Sequence, residues 1–200
     1  MRSTYCLWQS GEVGQLSTAI HYRVTQWRAR DRLRPMRVGR WTEVRGRPRI
    51  TATDAEAGDG FRIWSEERTT YLLGGGRLRI GDNVFLNSGA RIDCFDQVTI
   101  GNDVLIGHES WITDTDSHSV GGAPLRKAPV TIHDGCWIAA RVTILPGVTV
   151  GRHTVVAANS VVVRDLPSDC VAAGNPARVV RSLVPRPQAK AVWQLDDEIG

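Results

Sequence analysis

From Ile132 onward an aliphatic residue stands at every sixth position: Ile132, Ile138, Ile144, Val150, Val156 and Val162. Two positions before each of the last five stands a small or branched residue: Cys136, Val142, Val148, Thr154 and Ser160. The same spacing appears upstream as Ile80, Leu86 and Ile92, and resumes after a two-residue slip as Ile100, Ile106 and Ile112. Gly81, Gly101, Gly107 and Gly151 directly follow an aliphatic position. A period of six is neither the 3.6 of an amphipathic helix nor the 2 of a plain hairpin strand. It predicts a coil with three flat faces, one aliphatic per face pointing inward, and corners taken by Gly, Asn or Asp, which tolerate turn geometry. Three units, about 18 residues, complete a triangular turn, and successive turns stack as parallel strands. Short strands of a β-sandwich can also be evenly spaced, but a sandwich would not hold a strict six with matching small positions.

The flanks divide around this prism. Residues 1–47 read as a basic N-terminal extension. Within it Leu16, Ile20, Val24, Trp27 and Leu33 stand near helical spacing over residues 14–34, and Pro35 ends the segment. Residues 48–182 read as the β-helix. Its first part, with Pro48-Arg49-Ile50 and Phe61-Arg62-Ile63-Trp64 split by the acidic loop Asp54 to Gly60, looks like early coils with insertions. Residues 113–129 break the period as a polar loop containing Gly121-Gly122, and the prism closes after Asp165-Leu166-Pro167. Residues 183–200 form a mostly polar tail with Val192 and Trp193 as its anchor.

Composition changes the picture in two places. At 200 residues with a 42% hydrophobic fraction there is room for one domain and a real core. No apolar run reaches the ~20 residues of a membrane span, and Met1-Arg2-Ser3-Thr4 leads into no signal-like apolar region. Cys6, Cys94, Cys136 and Cys170 stand far apart, which argues against a zinc ribbon and fits a reducing cytoplasm. Charge is the second place. Of the 25 basic residues, 23 are Arg, and ten of these lie between Arg23 and Arg49. That block reads either as a solvated arm or as a binder of an anionic surface.

A long loop interrupting a strict repeat asks for a function. This one runs Thr113-Asp114-Thr115-Asp116-Ser117-His118, a histidine with carboxylates two and four residues upstream. An imidazole with a carboxylate on one nitrogen is the usual build of a general base. His108, His133 and His153 fall at repeat corners and read as solvated turn residues, and His21 lies in the expected helix. Asp114, Asp116 and His118 are too sparse a set to predict a metal site, and Cys136 occupies an inward position and reads as core.

With these residues in place, the chain resembles the hexapeptide-repeat acyltransferases, left-handed β-helix enzymes that move an acetyl group from acetyl-CoA. It is most like the sugar O-acetyltransferases of the galactoside, maltose and polysaccharide type. The carrying segments are Ile80-Gly81-Asp82-Asn83, Val98 to Val104, Pro129 to Ile132, Cys136-Trp137-Ile138, Leu145 to Gly151, Ala158 to Val162, Arg164 to Pro167 and Ala173 to Arg178. The resemblance implies His118 as the base that deprotonates an acceptor hydroxyl, with Asn87 placing that acceptor. It implies Trp137 along the acyl-CoA passage, and backbone groups at Gly107, Ala140 and Ala158 for the pantetheine amides. Arg164, Arg178 and Arg181 match residues that hold the CoA phosphates, and Asp93, Asp96 and Asp116 lie near the acceptor. It further implies a homotrimer with shared active sites, acting in the cytoplasm on a small acceptor such as a sugar or glycosylated metabolite, with no metal, no nucleic acid and no stable membrane insertion. The chain departs from the family at Ala139 and Asn159, where glycine is usual, and in its N-terminal region. N-acetylation of an amino sugar or nucleotide sugar, and a non-catalytic trimeric scaffold, are the alternatives. A nucleic-acid or membrane-surface binder using the arginine block lacks the aromatic stacking motifs of a nucleic-acid module.

Overall fold

The computed structural model describes residues 24–119 and 121–183. The start of the expected helix (14–23, with Leu16 and Ile20) and the tail from residue 184 lie outside the described residues. What is described is an all-β parallel solenoid of the left-handed β-helix type, with one short helix, α1 (24–32), ahead of it.

Three strands make each coil. Coil 1 is β1 (Arg37–Val38), β2 (Glu43–Gly46) and β3 (Arg49–Ile50), and coil 2 is β4 (Asp54–Ala57), β5 (Arg62–Ser65) and β6 (Tyr71–Leu73). Coil 3 is β7 (Arg77–Ile80), β8 (Phe85–Leu86) and β9 (Arg91–Asp93), and coil 4 is β10 (Gln97–Ile100), β11 (Leu105–Ile106) and β12 (Trp111–Thr113). Coil 5 is β13 (Val130–Ile132), β14 (Trp137–Ile138) and β15 (Thr143–Ile144), and coil 6 is β16 (Thr149–Val150), β17 (Val155–Val156) and β18 (Val161–Val162). β19 (Cys170–Gly174) opens a seventh turn, and β20 (Ala177–Ser182) folds back antiparallel on it. First strands stack as sheet A, second strands as sheet B and third strands as sheet C. The sheets therefore begin at Arg37, ahead of the boundary expected at residue 48.

The six-residue period is the period of burial. Ile132, Ile138, Ile144, Val150, Val156 and Val162 all point into one continuous core, together with Cys136, Val142 and Val148. Two of the small inward positions are polar and both are paired. Thr154 Oγ1 donates to the Pro167 carbonyl at 2.6 Å, and Ser160 Oγ accepts from the Gly174 amide at 3.1 Å. Register is strict where the sequence is strict: Thr131 pairs Thr149, Trp137 pairs Val155, and Thr143 pairs Val161.

The A–B corner shows why that register holds. Asn83, Asp103, Gly135, His153 and Asp169 all take left-handed backbone with φ of 54–68°, a conformation that Gly, Asn and Asp adopt most readily. Beside them, one side chain per coil accepts the amide of the coil before it. Asp59 accepts from Arg40 (2.7 Å), Asp82 from Asp59 (2.8 Å), Asn102 from Asp82 (2.8 Å) and Asp134 from Asn102 (2.9 Å). The Arg40 amide and guanidinium hold the Asp59 carboxyl below the usual carboxylate range. Coils approach so closely here that a Cβ on Gly101 would lie 2.7 Å from the Asp134 nitrogen.

α1 closes the open end of coil 1. Ala29, Leu33 and Met36 are buried, and Gln26 bonds Thr42 reciprocally, each bond 3.1 Å. Arg32 reaches the carbonyls of Val44 and Gly46 on β2.

Inward and outward positions should differ sharply in energy. Ile132→Ala should lower unfolding free energy by about 2–5 kcal/mol, because it leaves a cavity in a stacked core. Thr131→Ala, on the outer side of the same strand, should stay within about 0.5 kcal/mol. Urea melts of the two variants check this, and equal losses would contradict the inward assignment.

Candidate functional site

Two edges of the prism carry the residues singled out in the sequence. The first is the B–C edge. Asn87 on coil 3 donates its amide to Ile106, Gly107 on coil 4 to Ile138, Ala139 on coil 5 to Val156, and Ala157 on coil 6 to Ala172. Asn87, Gly107, Ala139, Ala157 and Ala173 thus form one column, and the β19–β20 register adds Arg178 opposite Ala173. Small residues fill the column between an amide side chain and a guanidinium. Gly107 has no room for more, since a Cβ there would lie 2.6 Å from the Ala139 carbonyl carbon.

The next residue along each corner is His108, Ala140 and Ala158. Among the described residues their backbone N–H groups have no acceptor. Three unpaired donors stand one per coil and in register, beside the small residues Gly107, Ala139 and Ala157. An extended chain bearing amide carbonyls could lie there and pair with them. The sequence expectation grouped Gly107 with Ala140 and Ala158. The ladder places Gly107 in the column one residue earlier, alongside Ala139 and Ala157.

Sheet B adjoins this edge, and its outer face carries a second column in register: Phe85, Leu105, Trp137, Val155, Val171 and Arg181. Trp137 is 52% exposed, an indole left open between Leu105 and Val155. Arg178 and Arg181, both exposed, stand at the C-terminal end of the two columns; Arg178 Nη1 donates to the Ala177 carbonyl at 2.8 Å.

The second edge is C–A, where the repeat is interrupted. The loop after β12 leaves as a narrow two-stranded arm. Ala128 donates to the Asp114 carbonyl (2.9 Å), Asp116 to the Arg126 carbonyl (3.1 Å), and Thr115 faces Lys127 in an antiparallel bridge. Arg126 Nη2 reaches the Pro146 carbonyl at 3.2 Å and Lys127 Nζ the Phe95 carbonyl at 3.4 Å, which ties the base of the arm to the corners on either side. Residues 116–119 and 121–127 are exposed. His118 stands in this exposed part and makes no hydrogen bond among the described residues.

The carboxylates expected to orient His118 do other work. Asp114 is fully buried and accepts from the amides of Phe95 (2.8 Å) and Asp96 (2.7 Å), pinning the arm to the coil 3 corner. Asp116 is exposed and is not bonded to the imidazole. Asp93 is 2% exposed, and its oxygens are taken by Arg91 Nε at 2.8 Å and Trp111 Nε1 at 2.9 Å. It clamps the outer face of sheet C and is closed to a ligand. Asp96 remains exposed at the same corner. Arg164, also exposed, follows β18 on the C–A edge and so lies across sheet C from Arg178.

The described histidine that does carry a carboxylate is His153, whose Nδ1 lies 3.1 Å from Asp169 Oδ1. Both occupy the left-handed A–B corner position of successive turns. Only the corner period, not proximity in sequence, could have found that pair. Among the described residues no cluster of His, Cys, Asp and Glu is suited to a metal ion, and no helix is long and apolar enough to cross a membrane.

Two half-sites therefore stand on either side of sheet C. One is a groove of unpaired amides with an indole and arginines. The other is a protruding arm bearing a histidine. A three-sided parallel solenoid with a polar arm at one corner is the architecture of hexapeptide-repeat transferases, and the chain belongs to that family. The bacterial transferase hexapeptide (six repeats) model matches residues 129–164. The putative colanic acid biosynthesis acetyltransferase WcaF of Escherichia coli is 34% identical over 131 residues, covering 65% of this chain and 70% of that protein. The galactoside O-acetyltransferase of Escherichia coli is 36% identical over 129 residues, covering 62% of this chain; the match spans 63% of the relative, under two thirds of its length. Among solved structures, a hexapeptide-repeat acetyltransferase of Vibrio cholerae complexed with acetyl coenzyme A superposes with a TM-score of 0.56 at 27% identity, covering 84% of this chain and 79% of that one.

Cys94, Cys136 and Cys170 are buried. Burial pushes the Cys136 thiol up to about 12, and burial together with the Asp114 carboxylate does the same for Cys94. Both remain protonated thiols at neutral pH, and the thiolate is the nucleophile. Iodoacetamide at about pH 8 should leave Cys94 and Cys136 unlabelled in the native protein and label both in urea, read by peptide mass mapping. Native labelling at the rate of a free thiol would show that these positions are open.

Proposed function

We propose that the protein transfers an acetyl group from acetyl-CoA to a hydroxyl of a sugar or sugar-containing metabolite. The observation that carries the reading is the register of unpaired amides at His108, Ala140 and Ala158 beside Trp137, ending at Arg178 and Arg181. An acyl-CoA offers what that strip lacks: amide carbonyls along an extended arm, with phosphates at one end. Those N–H groups donate to nothing else among the described residues, so pairing with the acyl-CoA arm costs no rearrangement. The two arginines meet the phosphates. Relatives named for galactoside O-acetylation and colanic acid biosynthesis point to a carbohydrate hydroxyl over an amine.

A thioester is already activated, so the protein needs to supply alignment, a base and a donor for the oxyanion. His118 takes the proton of the acceptor hydroxyl as its oxygen attacks the thioester carbonyl. The tetrahedral oxyanion is met by a backbone N–H, and collapse expels the CoA thiolate, which takes the proton back from the imidazolium. Alignment on a rigid coil can contribute about 7–11 kcal/mol and a base about 10²–10⁴-fold. Asn87 tops the groove column one coil N-terminal to Gly107, on the side where the acceptor would enter.

Arm and groove lie on opposite sides of sheet C in one chain, and His118 makes no hydrogen bond to its own prism among the described residues. The reading therefore includes a homotrimer in which His118 of one subunit faces the groove of the next. Three prisms about a common axis satisfy that contact with cyclic symmetry. Cys94, Cys136 and Cys170 are unpaired, which agrees with a reducing cytoplasm, where acetyl-CoA is at hand.

His118→Ala should abolish acetyl transfer to a sugar panel, measured by thiol release, while CoA binding by calorimetry is unchanged. Retention of more than about a tenth of the rate would mean that another group is the base. The shared site has its own test. Ala158→Trp fills the groove and should be inactive alone. Co-expressed in equal amounts with His118→Ala, it should restore about a quarter of wild-type activity, the fraction of interfaces that combine an intact arm with an intact groove. No restoration in co-purified mixed oligomers would place the whole site within one subunit.

A further inference from the structure

The net charge of the chain is +4, yet residues 23–49 hold ten arginines against Asp31 and Glu43. The remainder is acidic, with fifteen basic and nineteen acidic residues. The fold concentrates this excess at one end of the prism, because α1 and coil 1 are the first layers of the stack. Several of these arginines are matched: Arg37 by Glu56, Arg40 by Asp59 and Arg45 by Glu43. Arg28, Arg30, Arg34, Arg47 and Arg49 are exposed and have no ion-pair partner among the described residues.

Beside them stand apolar side chains that the core does not use. Trp27 is 65% exposed, Trp41 57% and Val24 40%. The reciprocal bonds between Gln26 and Thr42 bring the two tryptophan-bearing segments together, so both indoles belong to the same end. The buried stripe of α1 is Gln26 and Ala29, continued by Leu33 just past its end, while Val24, Trp27, Arg28, Arg30 and Asp31 are all exposed. α1 is thus a short amphipathic helix lying flat on the end of a rigid prism, its outer side carrying indole and guanidinium together.

We propose that this end docks on an anionic lipid bilayer. Indoles partition into the interface between headgroups and acyl chains, and arginines beside them meet lipid phosphates; this is the chemistry of a helix that lies on a membrane without crossing it. Charge decides the kind of surface. Each arginine close to an anionic leaflet contributes roughly a fivefold gain in partition, so five unmatched ones on one end give that end a strong preference for an anionic surface. The site lies elsewhere. Asn87 and Gly107 are on coils 3 and 4, roughly 10–15 Å along the stack at ~4.8 Å per strand, so docking leaves arm and groove clear of the lipid.

The test is flotation of the full-length protein with vesicles of phosphatidylcholine alone and with about 30% phosphatidylglycerol, across a salt series. Binding to the anionic vesicles only, weakening as salt rises, is expected. Arg28→Glu/Arg30→Glu should lower partition at least about tenfold. Trp27→Ser, which removes an exposed side chain and leaves the fold intact, should also lower it. Both variants should keep wild-type circular dichroism and wild-type acetyl transfer to a soluble acceptor. The proposal is overturned by no flotation with anionic vesicles at low salt, by equal flotation with neutral ones, or by flotation indifferent to both variants. Tight binding of RNA or DNA without vesicle binding overturns it in favour of a polyanion site.

Discussion

One contact is repeated through the whole molecule: a backbone N–H of one coil donating to the carbonyl of the next, strand over strand, at ~4.8 Å. Every feature of function here is a consequence of that spacing. It fixes which residues share an edge, so that Asn87, Gly107, Ala139 and Ala157 fall in line though they are far apart in the chain. It confines additions to corners, because a residue added within a strand would turn inward side chains outward. The interruption between β12 and β13 is such an addition. Trp111 pairs Thr143 across it as cleanly as Thr143 pairs Val161 without it.

A scaffold of this kind is suited to chemistry that needs alignment more than reactive groups. The groove is built from backbone, whose donors cannot swing to another rotamer. Its floor is kept bare by Gly107 and by alanines in place of larger residues. In the proposed transfer the arm supplies the one titratable side chain, His118, and Asp114 holds the base of the arm by accepting two amides from the neighbouring corner. The carboxylate four residues before the expected base is thereby committed to architecture.

Much of the prism was legible because the period is chemical as well as numerical. An aliphatic at one place in the hexad, a small residue two before it and glycine after it are each required by burial or by close approach of coils. Legibility fails where those requirements relax. Coils 1 and 2 run to unequal lengths: Arg37 pairs Glu56 and Arg49 pairs Tyr71, so no single spacing marks them. Their inward positions include alanines such as Ala52, Ala55 and Ala57, which carry little pattern. The prism therefore starts earlier than the sequence pattern indicated. In the site, resemblance to a family did not give the register of Gly107 or the bonds that Arg91 and Trp111 make to Asp93. Those depend on which side chain reaches which partner across coils. His153 and Asp169 show the same limit, since they meet only because both sit at one corner.

A stack of parallel coils has no natural length. Each terminal coil presents a triangle of unpaired strand edges, the same invitation to growth that a fibril end offers. Here the two ends are closed by different means. At the start, α1 and the turn that follows it lay Ala29, Leu33 and Met36 over the opening. At the finish, β20 reverses direction on β19, so the outermost strand of sheet B runs against the parallel order that another prism would need. These two pieces are what make the solenoid an object of fixed size. The short helix and the reversed strand act as the full stops of a repeat that would otherwise read on from one molecule into the next.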